Sequence, residues 1–147
     1  MLTVVFEALH LGQASTEAWL LLRGMRTLFL RVRAACASAQ RIAEHFATHA
    51  RVREVLYPGL PGASGHAVAA RQMQGGFGGM LSLCVKGGEA AAIATAANVT
   101  LWKRATSLGG TESLIEHRAS IEGAGTPAPP DLLRLSVGIE DVGDLIA

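Results

Sequence analysis

The chain has 147 residues, 50% of them hydrophobic, with 11 Arg against 2 Lys and a formal net charge of +1. That length suits one domain and excludes a second full one. The near-neutral balance excludes a global field for nucleic acid or an anionic membrane, so neither is expected as a partner.

Two cysteines, Cys36 and Cys84, can form one disulfide at most, and the opening MLTVVFEAL has no basic n-region and already carries Glu7. Together they point to a reduced, cytoplasmic chain. The longest uncharged stretch, Ala90 to Trp102, is far short of the ~20 apolar residues a membrane span needs.

From Ser15 to Val32, apolar residues recur at Trp19, Leu22, Met25, Leu28, Phe29 and Val32, a spacing that predicts one helix with one apolar stripe and Ser15 as its N-cap. A second, Ala-rich helical stretch runs through Ile42 and Phe46 to about His49. Val52 to Leu56 reads as a short strand, ended by Tyr57-Pro58-Gly59 and a loop to about Gly65. His66 to Met73 reads as a short helix. Glycines 75, 76, 78 and 79 lead into the β-type run Met80 to Val85, and Gly87-Gly88 ends it. Glu89 to Ala97 is expected to be helical and Val99 to Thr106 strand-like. After Gly109-Gly110, Thr111 is placed as the cap of a helix running to about Ala119. The segment TPAPP then leads to a last strand, Leu132 to Val137, and Glu140 to Ala147 begins a final helix.

Strands separated by helices imply a two-layer α/β domain with helices on one face of a small sheet. In the last strand, period two sets Leu133, Leu135 and Val137 on one side and Leu132, Arg134 and Ser136 on the other. One side is core, and the other carries an arginine.

Ser107 to Gly110, SLGG, lies between a strand and the helix expected at Thr111, where exposed amides and a positive dipole end suit an anion such as a carboxylate. Arg134 supplies a matching fork, since guanidinium binds carboxylate through two parallel hydrogen bonds. The alternative is a tight turn plus an arginine paired to an acidic neighbour, which spacing alone favours.

Other constellations read as structure. The GGFGG run at 75–79 follows a helix and opens a strand, the reverse of a phosphate loop. His45 and His49 stand four apart on a helix, but Phe46 occupies the place of a catalytic Glu and no third ligand is near, so no metal is expected. Arg23, Arg26 and Arg33 make a solvated or salt-bridged face. Ser64-Gly65-His66 lacks a nucleophile elbow, and Cys84 lies mid-strand as a small core residue. No catalytic nucleophile is assigned, and Lys86 and Lys103 are the two amines available to a carbonyl cofactor.

Five strings in order, LLLRGMRTL (Leu20 to Leu28), VLYPGL (Val55 to Leu60), GGFGGMLSL (Gly75 to Leu83), SLGGTESLIEHRAS (Ser107 to Ser120) and LLRLSVGIED (Leu132 to Asp141), resemble the C-terminal domain of the pyridoxal-phosphate-dependent Cys/Met metabolism family. That family includes cystathionine synthases and lyases, methionine lyases and acylhomoserine sulfhydrylases. The resemblance implies a small, mostly antiparallel sheet with helices on one face, as in the C-terminal domain of fold-type I transferases. It implies that Arg134 grips the substrate α-carboxylate and that Ser107 lies beside the cofactor-bearing lysine. It also implies that Thr106 holds a position varying with reaction type.

The family's Schiff-base lysine and phosphate-binding loop belong to its larger domain, so no pyridoxal phosphate is expected on this chain alone, which reads as a free-standing substrate-orienting domain. Its expected partners are a second copy of itself or a separately encoded cofactor domain, met through the sheet face that in the family docks on the cofactor domain. Where the family usually has HPA, Arg118 replaces the proline.

Overall fold

A computed structural model of the chain describes residues 15–147, so the opening MLTVVFEAL and the capping expected of the Ser15 side chain lie outside the described residues. The described residues up to Leu30 and residues 31–147 fall into two separate units.

In the first unit, helix α1 spans Ser15–Met25. A turn at Arg26-Thr27 separates it from helix α2, Leu28–Ala47, so the single helix expected over 15–32 is two. Gly24 weakens the helix locally, and the Thr27 hydroxyl donates to the Gly24 carbonyl (3.5 Å), a side-chain competitor for the backbone ladder. The apolar stripe from Trp19 to Phe29 is exposed, Phe29 at 75%.

The second unit contains a five-stranded sheet in the order β1-β2-β5-β4-β3. Its strands are β1 (Val52–Leu56), β2 (Met80–Val85), β3 (Lys103–Arg104), β4 (Leu114–His117) and β5 (Leu132–Ser136). All pairings are antiparallel except β3 with β4. Between the strands lie α3 (His66–Gln72), α4 (Gly88–Asn98) and α5 (Arg118–Glu122), and α6 (Val142–Ile146) closes the chain. Asp141 caps α6 by accepting from the amides of Gly143 (2.7 Å) and Asp144 (3.4 Å).

The alternation expected in β5 sets one set of its side chains toward the helices, in register with β2. Leu81, Leu83 and Val85 join Leu133, Leu135, Val137 and Ile115 in one buried cluster with Ala39, Ile42 and Ala43 of α2, Ala92 and Ala96 of α4, and Leu145 of α6. Small Ala side chains on α2 and α4 let these helices approach the sheet closely. Tyr57 seals the β1 end of the cluster, its hydroxyl donating to the Gly78 carbonyl (3.0 Å), and burial pushes its phenol pKa up to about 12. The GGFGG run is a close-approach turn, because a Cβ at Gly76 would come within 2.7 Å of Cys36 Cβ. Cys36 and Cys84 are both buried and free.

Two expectations fail in the 99–119 region. The strand expected over Val99 to Thr106 is reduced to Lys103–Arg104, and the helix expected after Thr111 is the strand β4 followed by the short α5. Glu140 captures the start of that segment, accepting from the Ser113 amide (2.7 Å) and hydroxyl (2.8 Å). Residues 114–117 then pair along β5, and all four are buried, which a helix with one exposed face could not give them.

Candidate functional site

Arg134 sits on the central strand β5. In register with it stand Ser82 on β2 and Glu116 on β4, so the three side chains line up across the face of the sheet opposite the helical core. The loop through Thr106 and Ser107 passes over this line. It is tied down by the Gly109 amide donating to Ser136 Oγ (3.2 Å) and the Ile139 amide donating to the Thr111 carbonyl (2.9 Å). Gly138 permits that contact, because a Cβ there would strike the Thr111 carbonyl.

One guanidinium nitrogen of Arg134 makes all of its contacts. Nη1 donates to the Thr106 carbonyl (2.8 Å), the Ser107 carbonyl (3.5 Å) and Glu116 Oε1 (3.2 Å). Nε and Nη2 make no hydrogen bond among the described residues, and the side chain is 20% exposed. These two parallel donors are the edge a carboxylate takes in a side-on pair. The structure thus brings Arg134, Ser107 and Thr106 together, but through the loop's carbonyls. Both loop residues are exposed. The helix N-terminus expected to assist at Thr111 is absent, since the chain there enters β4, so its dipole contributes nothing to an anion site.

Glu116 was not among the residues singled out from the sequence. Its side chain is 4% exposed, and the same Oε1 also accepts from Arg118 Nη1 (2.8 Å), while Oε2 is buried without a partner among the described residues. Arg118 in turn donates through Nε to Glu122 Oε1 (2.7 Å), and Glu122 accepts from the Thr126 hydroxyl. Hydrogen bonds to Glu116 first and Glu122 second raise the Arg118 pKa, and hydrogen bonds from Thr126 first and Arg118 second hold Glu122 below the ordinary carboxylate range. Neighbouring His117 is buried and fixed at both nitrogens, by Ser120 Oγ (2.6 Å) and the Pro130 carbonyl (2.7 Å). Since a carbonyl can only accept, Nε2 carries the ring proton.

This arrangement suits a carboxylate and does not by itself fit pyridoxal phosphate. Lys86 and Lys103 are both exposed, so neither amine has the desolvation that readies a lysine for a carbonyl. Gly75 to Gly79 open a strand and offer no helix N-terminus to a phosphate. His45 and His49 are exposed with ring centroids 6.1 Å apart, and among the described residues no cluster of three metal-ligating side chains occurs. No helix among them is long and apolar enough to cross a membrane.

The family model described as Cys/Met metabolism PLP-dependent enzyme matches residues 5–147. Cystathionine gamma-synthase of Mycobacterium leprae (strain TN) is 50% identical over 135 residues, covering 88% of this chain and 34% of that protein. L-methionine gamma-lyase of Pseudomonas deceptionensis is 44% identical over 139 residues, covering 89% and 35%. The crystal structure of cystathionine gamma synthase from Xanthomonas oryzae pv. oryzae in complex with aminoacrylate and cysteine superposes with a TM-score of 0.84 at 44% identity, over 95% of this chain and 38% of that one. The chain spans about a third of the length of the curated relatives it matches. The family model spans nearly every residue and a solved relative shares the fold, so the chain belongs to the Cys/Met metabolism family of PLP-dependent enzymes.

Proposed function

We propose that this chain is the substrate-orienting part of a trans-sulfuration enzyme, one that carries out β/γ-elimination or replacement on sulfur amino acids such as cystathionine, homoserine esters or methionine. Arg134 grips the substrate α-carboxylate, and Ser107 and Thr106 line the place where the rest of the substrate lies. The observation that carries this reading is the open Nε–Nη2 edge of an arginine already anchored at Nη1. An arginine placed for structure alone would spend that edge on its neighbours. Pyridoxal phosphate supplies the electron sink in such chemistry. With two exposed lysines and no phosphate cradle among the described residues, the chain by itself would hold no covalent cofactor and be inactive alone.

A thermal-shift titration tests the reading. L-cystathionine is expected to raise the melting temperature, Arg134→Ala to abolish the rise, and pyridoxal phosphate to give none. Protection that survives Arg134→Ala overturns the site.

We further propose self-association, through a surface different from the sheet face expected. The sheet face opposite the helices is not bare: Cys84, Leu114, Leu132 and Ser136 are all buried there. Large exposed apolar side chains gather instead along residues 19–32, with Trp19 at 60% and Leu30 at 66% exposed. Sedimentation is expected to show a dimer or larger species that Trp19→Glu with Phe29→Glu converts to monomer. A monomer before substitution counts against it.

A further inference from the structure

We propose that Arg118 is a positioning residue that keeps Arg134 open to an incoming carboxylate by taking its share of Glu116. This rests on the reading of Arg134 as the carboxylate grip.

Two guanidiniums converge on one oxygen. Glu116 Oε1 accepts from Arg118 Nη1 at 2.8 Å and from Arg134 Nη1 at 3.2 Å, while Oε2 of the same carboxylate is buried without a partner. A carboxylate facing a single arginine has a better arrangement available, both oxygens against two parallel N–H groups. Glu116 does not adopt it with Arg134. The shorter contact goes to Arg118, which is itself held from its other side by Glu122, with Nη2 at 2.6 Å from Oε1. That anchorage ties Arg118, at the start of α5, to Glu122 at its end and holds the Glu116 carboxylate turned toward it. Arg134 receives one long charge-assisted bond, enough to orient its Nη1 side. Its Nε–Nη2 edge stays free.

Without Arg118, one buried carboxylate would face one arginine. Glu116 would turn both oxygens onto Arg134 and occupy the donors that a ligand carboxylate needs. An internal carboxylate competing at close range suppresses binding of an external one, so removing Arg118 weakens ligand binding although Arg118 touches no ligand.

The experiment uses the whole chain and two readouts. Arg118 is 31% exposed and Gln keeps its bulk, so Arg118→Gln is expected to fold. In the free protein, NMR of the arginine side chains should show rotation about the Arg134 Nε–Cζ bond slowing in Arg118→Gln, as Glu116 closes on it. L-cystathionine should bind this variant roughly five- to tenfold more weakly, about one order of magnitude being worth ~1.4 kcal/mol. Arg118→Lys should recover part of the affinity, since an ammonium can still draw on Glu116 as a point charge. In a Glu116→Gln background, Arg118→Gln should change neither readout, which a merely structural role would not predict. Arg134 signals unmoved by Arg118→Gln overturn the proposal, as does affinity within twofold of the parent while Arg134→Ala abolishes binding. If the Arg134 signals respond but no Arg134-dependent binding occurs, the carboxylate reading fails and the ligand half of this proposal falls with it.

Discussion

Two arginines of the sheet meet buried carboxylates, and they do so in opposite ways. Arg53 on β1 faces Asp131 with its Nε–Nη2 edge, donating from Nε to Oδ2 (2.8 Å) and from Nη2 to Oδ1 (3.0 Å), so every oxygen and both parallel donors are matched. Arg134 faces Glu116 with one nitrogen against one oxygen and leaves that same edge without a partner. The first pair is a closed staple between β1 and the residue before β5, and its hydrogen bonds raise the Arg53 pKa. The second is an unfinished pair whose carboxylate is shared with a second arginine. On the proposed reading, a side-on edge left open on a fixed guanidinium is what separates a binding group from a structural one.

The largest expected effect comes from removing each carboxylate in turn. Glu116→Ala leaves Arg118 and Arg134, 31% and 20% exposed, without their shared anion. Breaking a fully buried pair costs roughly 3–5 kcal/mol, and partial access to water should bring this to about 2–3 kcal/mol. Asp131→Ala releases one arginine that is already 49% exposed and should cost clearly less. Urea denaturation of both variants measures the difference. Equal costs would erase the distinction between the open and closed pairs.

A smaller effect tests whether the open pair can be closed by design. Ser82 stands directly across β2–β5 from Arg134. An aspartate there reaches the guanidinium from the side opposite Glu116, and a cross-strand opposite-charge pair is worth roughly 0.2–1 kcal/mol. Ser82→Asp is therefore expected to raise stability by about 0.5 kcal/mol while lowering affinity for L-cystathionine. The converse result, unchanged stability with full binding, would mean that the free edge of Arg134 points away from Ser82.

The contrast also shows which parts of this molecule could be read from its residues. β2 and β5 are local facts: Leu81, Leu83, Leu133 and Leu135 alternate with smaller or polar neighbours, and Arg134 stands out because it interrupts an apolar strand. Arg134 and Ser107, singled out from the residues, do come together, although the helix invoked to assist them does not form. β4 could not be read this way. Leu114 to His117 looks like the first turn of a capped helix, and becomes a strand only because Glu140, 27 residues on, captures Ser113 and because β5 supplies a ladder. Glu116 escaped notice for the same reason. Nothing in its neighbourhood along the chain distinguishes it, and its role exists only through the register that sets it opposite Arg134. Arg118 was visible as a departure from the family's proline, but its partner was not.

The smallest expected effect lies at the far end of the open arrangement, at Glu122. Its folded-state pKa is lowered, by the hydrogen bond from Thr126 first and from Arg118 second. A lowered carboxyl pKa contributes stability that is present above the unfolded-state value and is lost as pH falls through the folded-state value. Glu122 lies near the surface, so salt screens the effect and the change in global stability should be slight. The local change is measurable. In a carbon NMR titration, the Glu122 carboxyl should titrate below a free glutamate, and Arg118→Gln should move it back toward the ordinary range. In parallel, Arg118 side-chain signals should shift as Glu122 protonates, because the guanidinium then leans on Glu116 alone. A Glu122 titration indifferent to Arg118→Gln would remove Arg118's outer anchor, and with it the reason that Glu116 stays turned from Arg134.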